Sequence, residues 1–266
     1  MPPPIALQVE PLPRPRPWPV SLVGAGAGDV TALTLGAADA LAAADVVFAD
    51  DLVDASVLAR IPAGVEVVAV GKRGGRPSFA QTDIVDLLID AARQHRRVVR
   101  LKGGDPMLYG RGAEEAEALV AAGLEVAIYP GVSAAFTAAS ATGIPLTYRN
   151  VSSQVSFITA VRADGSPHPV DGLAGPGRTL VVYMGRFAAR QIANALGAAG
   201  VPDWFPAAAI ENAGRPDQTL VATTVGGLSA AVASLTGHGP VLLIVGEVVA
   251  KRVACTTVAS AHFAHG

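Results

Sequence analysis

Residues 101–115, LKGGDPMLYGRGAEE, follow an apolar run and carry an unusual share of glycine. Gly103 and Gly104 let main chain approach a ligand closely, and Asp105 with Pro106 turns the chain so that amides and carbonyls are exposed. Gly110 and Gly112 bracket Arg111 and hold its guanidinium where backbone can approach closely. Glu114 and Glu115 fall in the first turn of the next helix, where the helix dipole favours negative charge; they read either as helix-start residues alone or as part of the site. A turn that only closes a loop does not need this many glycines, so the stretch is read as a ligand cradle.

Two further stretches support it. GAGAGD places Gly24, Gly26 and Gly28 at the end of the first apolar run, with Asp50 roughly 20 residues on, as in a dinucleotide-binding unit. Asp29, however, stands where such a unit needs its third glycine, and a carboxylate there would repel a pyrophosphate. A dinucleotide oxidoreductase is therefore disfavoured. VGKRGGR, residues 70–76, supplies Lys72, Arg73 and Arg76 to hold substrate carboxylates, or forms a solvated basic loop. RQHRRVVR, with His95, reads as a solvated helix end.

The elements that must position these groups alternate. VSLVG, DVVFAD, VEVVAVG, RVVRLKGG and LEVAIYPG read as five short strands. Helices are expected over 31–44 with Thr31 near the N-cap, over 81–94 with Ile84, Leu87, Leu88 and Ala91 on one face, and over 112–122. The pattern predicts an α/β fold with a mostly parallel N-terminal sheet. IPLTYRN breaks the period and reads as a crossing. QVSFITAV, TLVVYMG, PAAAIEN, QTLVATTV and PVLLIVGEVV then read as strands of a second, mixed sheet, with a helix over 187–199 closing at Gly200. The expected division is a Pro-rich tail over 1–18, α/β domains over 19–147 and 148–250 with a cleft between them, and a tail over 251–266.

Hydrophobic residues make up 51% of the 266 and charged residues 16%, which suits a packed globular chain. The formal net charge of −2 points to neither nucleic acid nor an anionic membrane. No apolar run reaches the roughly 18 residues of a membrane span, and the N-terminus lacks the pattern of a secretory signal. Cys255 is the one cysteine, so no intrachain disulfide or thiolate metal cluster is expected, and a cytoplasmic location fits.

These stretches, in this order, resemble the uroporphyrinogen-III C-methyltransferases of the tetrapyrrole methylase superfamily. The markers are GAGAGD, FADDLV, VGKRGGR followed by Gln81, RLKGGDPMLYGRGAEEAEAL, YPGVSAA, GIPLTYR, LVVYMG, IEN and LIVGEVV, spanning about Val20 to Val249. GGDP alone indicates the superfamily; the longer GGDPxxxGRGxEE run is more specific. The resemblance implies S-adenosyl-L-methionine as cofactor, a tetrapyrrole as substrate, no metal, and a homodimer. It implies cofactor contacts at Ala27, Gly103, Gly104, Asp105, Leu108, Ser133, Ala134, Met184 and Ala213. Asp50 and Lys72 match a proton acceptor and a proton donor, and Arg111 matches a catalytic arginine that faces the substrate and assists deprotonation. Lys72, Arg73, Arg76, Arg111 and Arg149 are candidates to anchor the eight carboxylates of uroporphyrinogen.

Several positions depart from the pattern. Asp51 stands where an arginine usually follows the aspartate, and no histidine lies near Pro77. PLTYRN, with Tyr148 and Asn150, replaces a PLTHRD-like segment, and the position around Val161 has lost a histidine. The main expectation is methylation of uroporphyrinogen III at C2 and C7 to precorrin-2, toward siroheme or cobalamin. A paralogue acting on another tetrapyrrole such as a coproporphyrin, and a non-catalytic cofactor- or porphyrin-binding relative, are the alternatives these departures leave open.

Overall fold

A computed structural model describes residues 19–71, 81–94, 96–162, 164–166 and 168–254. The first half builds β1 (Val20–Gly24), α1 (Leu35–Ala42), β2 (Val46–Ala49), α2 (Ala55–Leu58), β3 (Glu66–Ala69), α3 (Gln81–Arg93), β4 (Val98–Lys102), α4 (Gly112–Ala121), β5 (Val126–Tyr129) and α5 (Ala134–Thr142). All five strands pair in parallel in the order β3-β2-β4-β1-β5. Parallel neighbours need crossovers, and the crossover helices cover both faces. Hence β2 and β4 are buried throughout, whereas the edge strands β3 and β5 are partly exposed.

Alternation along each strand sorts side chains between two cores. Val20 and Leu22 of β1 meet Ile84 and Leu88 of α3 and Leu119 of α4. Val23 turns the other way, toward Leu41 of α1 and Val57 of α2. On β4 the same alternation puts Arg100 and Lys102 on the face of Val98, where apolar residues would be expected.

The helix expected over 31–44 is interrupted. Asp29 caps a short 3-10 turn, Val30–Ala32, by accepting from the Thr31 amide at 2.9 Å. Leu33 is extended, and Thr34 starts α1 afresh by accepting from the Ala37 amide at 3.2 Å. Two capping side chains five residues apart compete for one helix start, so Thr31 lies inside the first turn and caps nothing.

The second half builds β6 (Ser152–Thr159), β7 (Gly177–Tyr183), α6 (Ala189–Ala198), β8 (Pro206–Glu211), β9 (Thr219–Thr224), α7 (Leu228–Ala233) and β10 (Val241–Val245). The order is β6-β7-β10-β8-β9, with β6 and β7 parallel and the other pairs antiparallel. One face packs on α6 and α7 through Leu180, Leu243, Ile192 and Leu228. The other takes α5: Ala135 and Ala138 pack with Val181, Tyr183, Ile210 and Ile244. Helix α5 follows a strand of the first sheet and so ties the two sheets together.

Helices α2, α5 and α7 were not legible as periodic segments; α2 has four residues, and α5 (AAFTAASAT) is too uniformly small to show a face. A short 3-10 helix, Glu247–Lys251, ends the described fold. Beyond it Arg252 Nε donates to the Thr142 carbonyl at 2.9 Å and the Val253 amide to that of Gly143 at 2.9 Å. Among the described residues no helix is long and apolar enough to cross a membrane. Cys255 and the Pro-rich segment 1–18 lie outside the described residues.

Candidate active site

Loops leaving the carboxyl ends of β1, β4 and β5 converge, the usual ligand position in an open parallel sheet. Gly26 and Gly104 exchange two main-chain hydrogen bonds, at 3.2 and 2.9 Å. A Cβ on Gly131 would stand 2.1 Å from the Gly104 carbonyl oxygen, and one on Gly24 2.5 Å from the Gly131 amide nitrogen. Three loops thus pack backbone against backbone. Gly104 itself adopts φ +70° with open space where a side chain would stand. Asp105 locks this arrangement: Oδ1 accepts from the Met107 amide at 2.8 Å and Oδ2 from the Gly131 amide at 3.0 Å. Its carboxylate shapes the loops.

Beneath this floor lies a cluster of buried charge. Arg100 Nη2 forms an ion pair with Asp50 Oδ1, while Nη1 donates to the carbonyls of Phe48 and Leu101, each at 3.2 Å. Arg100 Nε lies 3.4 Å from Glu115 Oε1, which also accepts from Lys102 Nζ at 2.8 Å. Arg100 and Lys102 are 2% exposed and Glu115 is fully buried. Burial and the neighbouring Arg100 cation pull the Lys102 ammonium below its ordinary pKa, against the pull of Glu115 and Asp50. Glu115 is thus more than a helix-start residue.

At the rim, Arg111 takes a left-handed backbone (φ 58°) and caps the start of α4 without a side-chain cap bond. Its guanidinium forks onto Glu114, with Nε at 3.1 Å from both carboxylate oxygens. That hydrogen-bonded pair raises the Arg111 pKa and lowers that of Glu114.

The second sheet supplies the opposite wall. Tyr183, at the end of β7, reaches across to α5. Its hydroxyl is 2.6 Å from Ser133 Oγ and accepts from the Ala135 amide at 3.3 Å, satisfying a helix-start donor that Ser133 leaves free. Burial raises the Tyr183 pKa, opposed by the Ser133 bond. The Tyr109 ring lies 5.0 Å away, centroid to centroid. Met184 and Asn212 both take left-handed backbone, φ 60° and 51°, where β7 and β8 end. Arg215 reaches back to the first half: Nη2 donates to the Leu52 carbonyl at 2.6 Å, and Nε lies 3.8 Å from Asp54 Oδ2.

Between the walls is a cavity of about 310 Å³. Ala27, Asp50, Gly103, Gly104, Asp105, Leu108, Arg111, Ser133, Ala134, Met184 and Ala213 all line it. Lys72, Arg73 and Arg76 lie outside the described residues. Arg149 lines a separate open depression with Tyr148, Asn150 and Glu247, so this chain does not bring it to the cavity. Sequence reasoning missed Tyr183, Arg215, Leu52 and Tyr109 as lining residues. It also missed the buried charges, although Arg and Lys two apart inside an apolar strand were a signal.

Residues 19–229 match the family of tetrapyrrole (corrin/porphyrin) methylases. The chain belongs to the tetrapyrrole methylases. This methylase is 45% identical over 229 residues to a uroporphyrinogen-III C-methyltransferase of Pseudomonas aeruginosa, covering 86% of this chain and 93% of the relative. It is 42% identical to a siroheme synthase of Gluconacetobacter diazotrophicus, covering 88% of itself but spanning 50% of that protein. Among solved structures, the uroporphyrin-III C-methyl transferase of Thermus thermophilus complexed with S-adenyl homocysteine superposes with a TM-score of 0.75 at 38% identity. That match covers 88% of the methylase and 99% of the solved chain. The expected fold class, two α/β sheets with a parallel first and a mixed second, is the one observed.

Proposed function

We propose that this methylase transfers methyl groups from S-adenosyl-L-methionine to uroporphyrinogen III, at C2 and C7, giving precorrin-2 for siroheme or cobalamin synthesis. The observation that carries the reading is the cavity between the sheets. Its lining is mainly apolar, from Leu108, Ala134, Ile210, Ala213 and Leu242, and the Gly103–Gly104 turn has no side chain in the way. These residues fit the cofactor: apolar walls suit its adenosyl body, and main-chain groups of the turn suit its polar end. The bound cofactor supplies an activated methyl group on a sulfonium.

The chain's own residues then have three tasks. The first is holding the cofactor, to which Ala27, Gly103, Gly104, Leu108, Ala134, Met184 and Ala213 are assigned as residues lining the cavity, with Asp105 and Ser133 assigned to fix the loops there. The second is holding a ring carbon in line, at about 3 Å from the methyl group. Arg111 at the rim, with Lys72, is assigned to the substrate carboxylates. The third is removing the proton that the methylated, cationic ring must lose. Asp50, a carboxylate on the cavity wall, is assigned as acceptor and Lys72 as donor. Arg111 is a poor base and, bound to Glu114, serves substrate orientation. We further propose two units, 19–147 and 148–250, working as a homodimer.

The test offers anaerobic, reduced uroporphyrinogen III and coproporphyrinogen III, with cofactor, to the purified chain. A gain of two methyl groups on uroporphyrinogen III supports the assignment. Methylation of the coproporphyrinogen alone would sink it and move the substrate to a tetrapyrrole with fewer carboxylates. Asp51, an extra negative charge beside Asp50, gives that outcome its physical basis.

A further inference from the structure

Proton removal as assigned involves Asp50 but none of the charges below it. Four ionisable side chains from three elements meet there: Asp50 after β2, Arg100 and Lys102 on β4, and Glu115 on α4. Formally they sum to zero, two anions and two cations. They are also strictly ordered. Arg100 is anchored by two main-chain carbonyls at 3.2 Å, engages Asp50 at one end, and lies 3.4 Å from Glu115 at the other. Lys102 closes the row at 2.8 Å from Glu115. Only Asp50, with a side chain 27% exposed, reaches the cavity; the other three are 3% exposed or less.

A buried ion pair replaced by apolar residues is often no less stable, so stability alone is weak grounds for four buried charges here. What the row does provide is a fixed carboxylate. A base that takes a proton from a bound macrocycle must be oriented and must keep a suitable basicity. A lone Arg–Asp pair would hold the carboxylate but weaken it as a base, because the guanidinium favours its ionised form. A second anion behind the guanidinium offsets that effect.

We propose that Arg100 and Glu115 are positioning residues for proton removal, Arg100 fixing the Asp50 carboxylate at the cavity wall and Glu115 restoring its basicity from behind. The inference rests on the assignment of Asp50 as proton acceptor. In the step, a ring C–H bond of the methylated cation breaks, its electron pair stays with the ring, and the proton passes to Asp50, which becomes a neutral acid. Asp50 then releases it to water. Other charges near Asp50 are Asp51 on its own loop, and Arg111 and Arg215 on the cavity rim.

The test is the acid limb of the pH–kcat profile for methyl transfer to uroporphyrinogen III, read for four single variants with binding of S-adenosylhomocysteine as the folding control. Asp50→Asn should abolish the limb. Glu115→Gln removes an anion and should move the limb down by roughly half to one pH unit. Arg100→Met removes the adjacent cation and should move it up by roughly one to two units, and Lys102→Met should move it up by less. A purely structural role lowers activity in all of these without moving the limb in opposite directions. Each variant that binds S-adenosylhomocysteine is informative alone, so loss of folding in one does not protect the idea. If Asp50→Asn abolishes the limb but the others leave it in place, the positioning role is overturned and the Asp50 assignment stands. If Asp50→Asn keeps the limb, the Asp50 assignment itself fails.

Discussion

The two sheets meet the cavity with different kinds of group. From the parallel sheet come main chain and buried charge: Gly24, Gly104 and Gly131 stacked backbone on backbone, over Arg100, Lys102 and Glu115. From the mixed sheet come side chains on strained turns: Tyr183 reaching a helix start, Met184 and Asn212 in left-handed conformations, Arg215 clasping Leu52. The first wall is overdetermined and tolerates little change. The second is built from single contacts, each of which can be removed with a local effect. Tight fixation of one wall with looser attachment of the other suits a site that must admit and release a large ligand.

The largest effect expected is for Lys102→Met. It leaves the buried Glu115 short of a partner, and unfolding free energy should drop by about 3–5 kcal/mol. Chemical denaturation at neutral pH measures this, and a loss below about 1 kcal/mol would show that the charged layer is not what makes the first wall rigid. Next is Gly131→Ala, whose new Cβ would stand 2.1 Å from a main-chain oxygen with no flexible group to yield. A loss of about 2–3 kcal/mol and weakened S-adenosylhomocysteine binding are expected, read by thermal unfolding and calorimetry.

Tyr183→Phe carries the contrast to the second wall. It deletes the hydroxyl from Ser133 and the Ala135 amide while keeping the ring, so about 1–2 kcal/mol of stability should be lost. Folding should persist, and calorimetry should report weaker ligand binding; global unfolding would mean that the two walls are equally rigid. The smallest effect is far from the cavity, at the amino end of β2. Arg97 hydrogen bonds hold Asp45 down from 3.8 to about 2. A depressed carboxyl adds stability above its unfolded pKa and loses it as pH falls through its folded one, here between about pH 4 and pH 2. Because both side chains are only half-buried and solvent screens the pair, less than about 1 kcal/mol is at stake. Urea midpoints at pH 5 and pH 2.5 should converge for wild type and Asp45→Asn; an equal gap at both would remove this contribution.

The same contrast decides what could be read in advance. The first wall was legible because a glycine-rich turn after an apolar strand costs more chain entropy than loop closure requires, and GGDPMLYGRGAEE carries its spacing in one continuous run. The second wall draws on residues near 183, 212 and 240, brought together only by strand order. Left-handed Met184 and Asn212 announce themselves by no glycine. The sequence pattern could say that β7 ends at a tyrosine, but not that its hydroxyl would cap a helix some 48 residues earlier. The charged row was half visible: Arg100 and Lys102 share a strand face by alternation, whereas their meeting with Glu115 depends on how α4 crosses β4. For the basic side chains at 72–76, which lie outside the described residues, the case for a substrate role rests on sequence alone.

Strand β10, residues Val241–Val245, occupies the middle of its sheet between β7 and β8. The parallel sheet, by contrast, is complete once Tyr129 has been made. During synthesis the first half can therefore close while the second still waits, with β7 and β8 unjoined until Val241–Val245 has been made. A release of translation after Glu211 but before Val241 would yield a folded glycine floor attached to two unjoined apolar strands, a form of nascent chain in need of a chaperone.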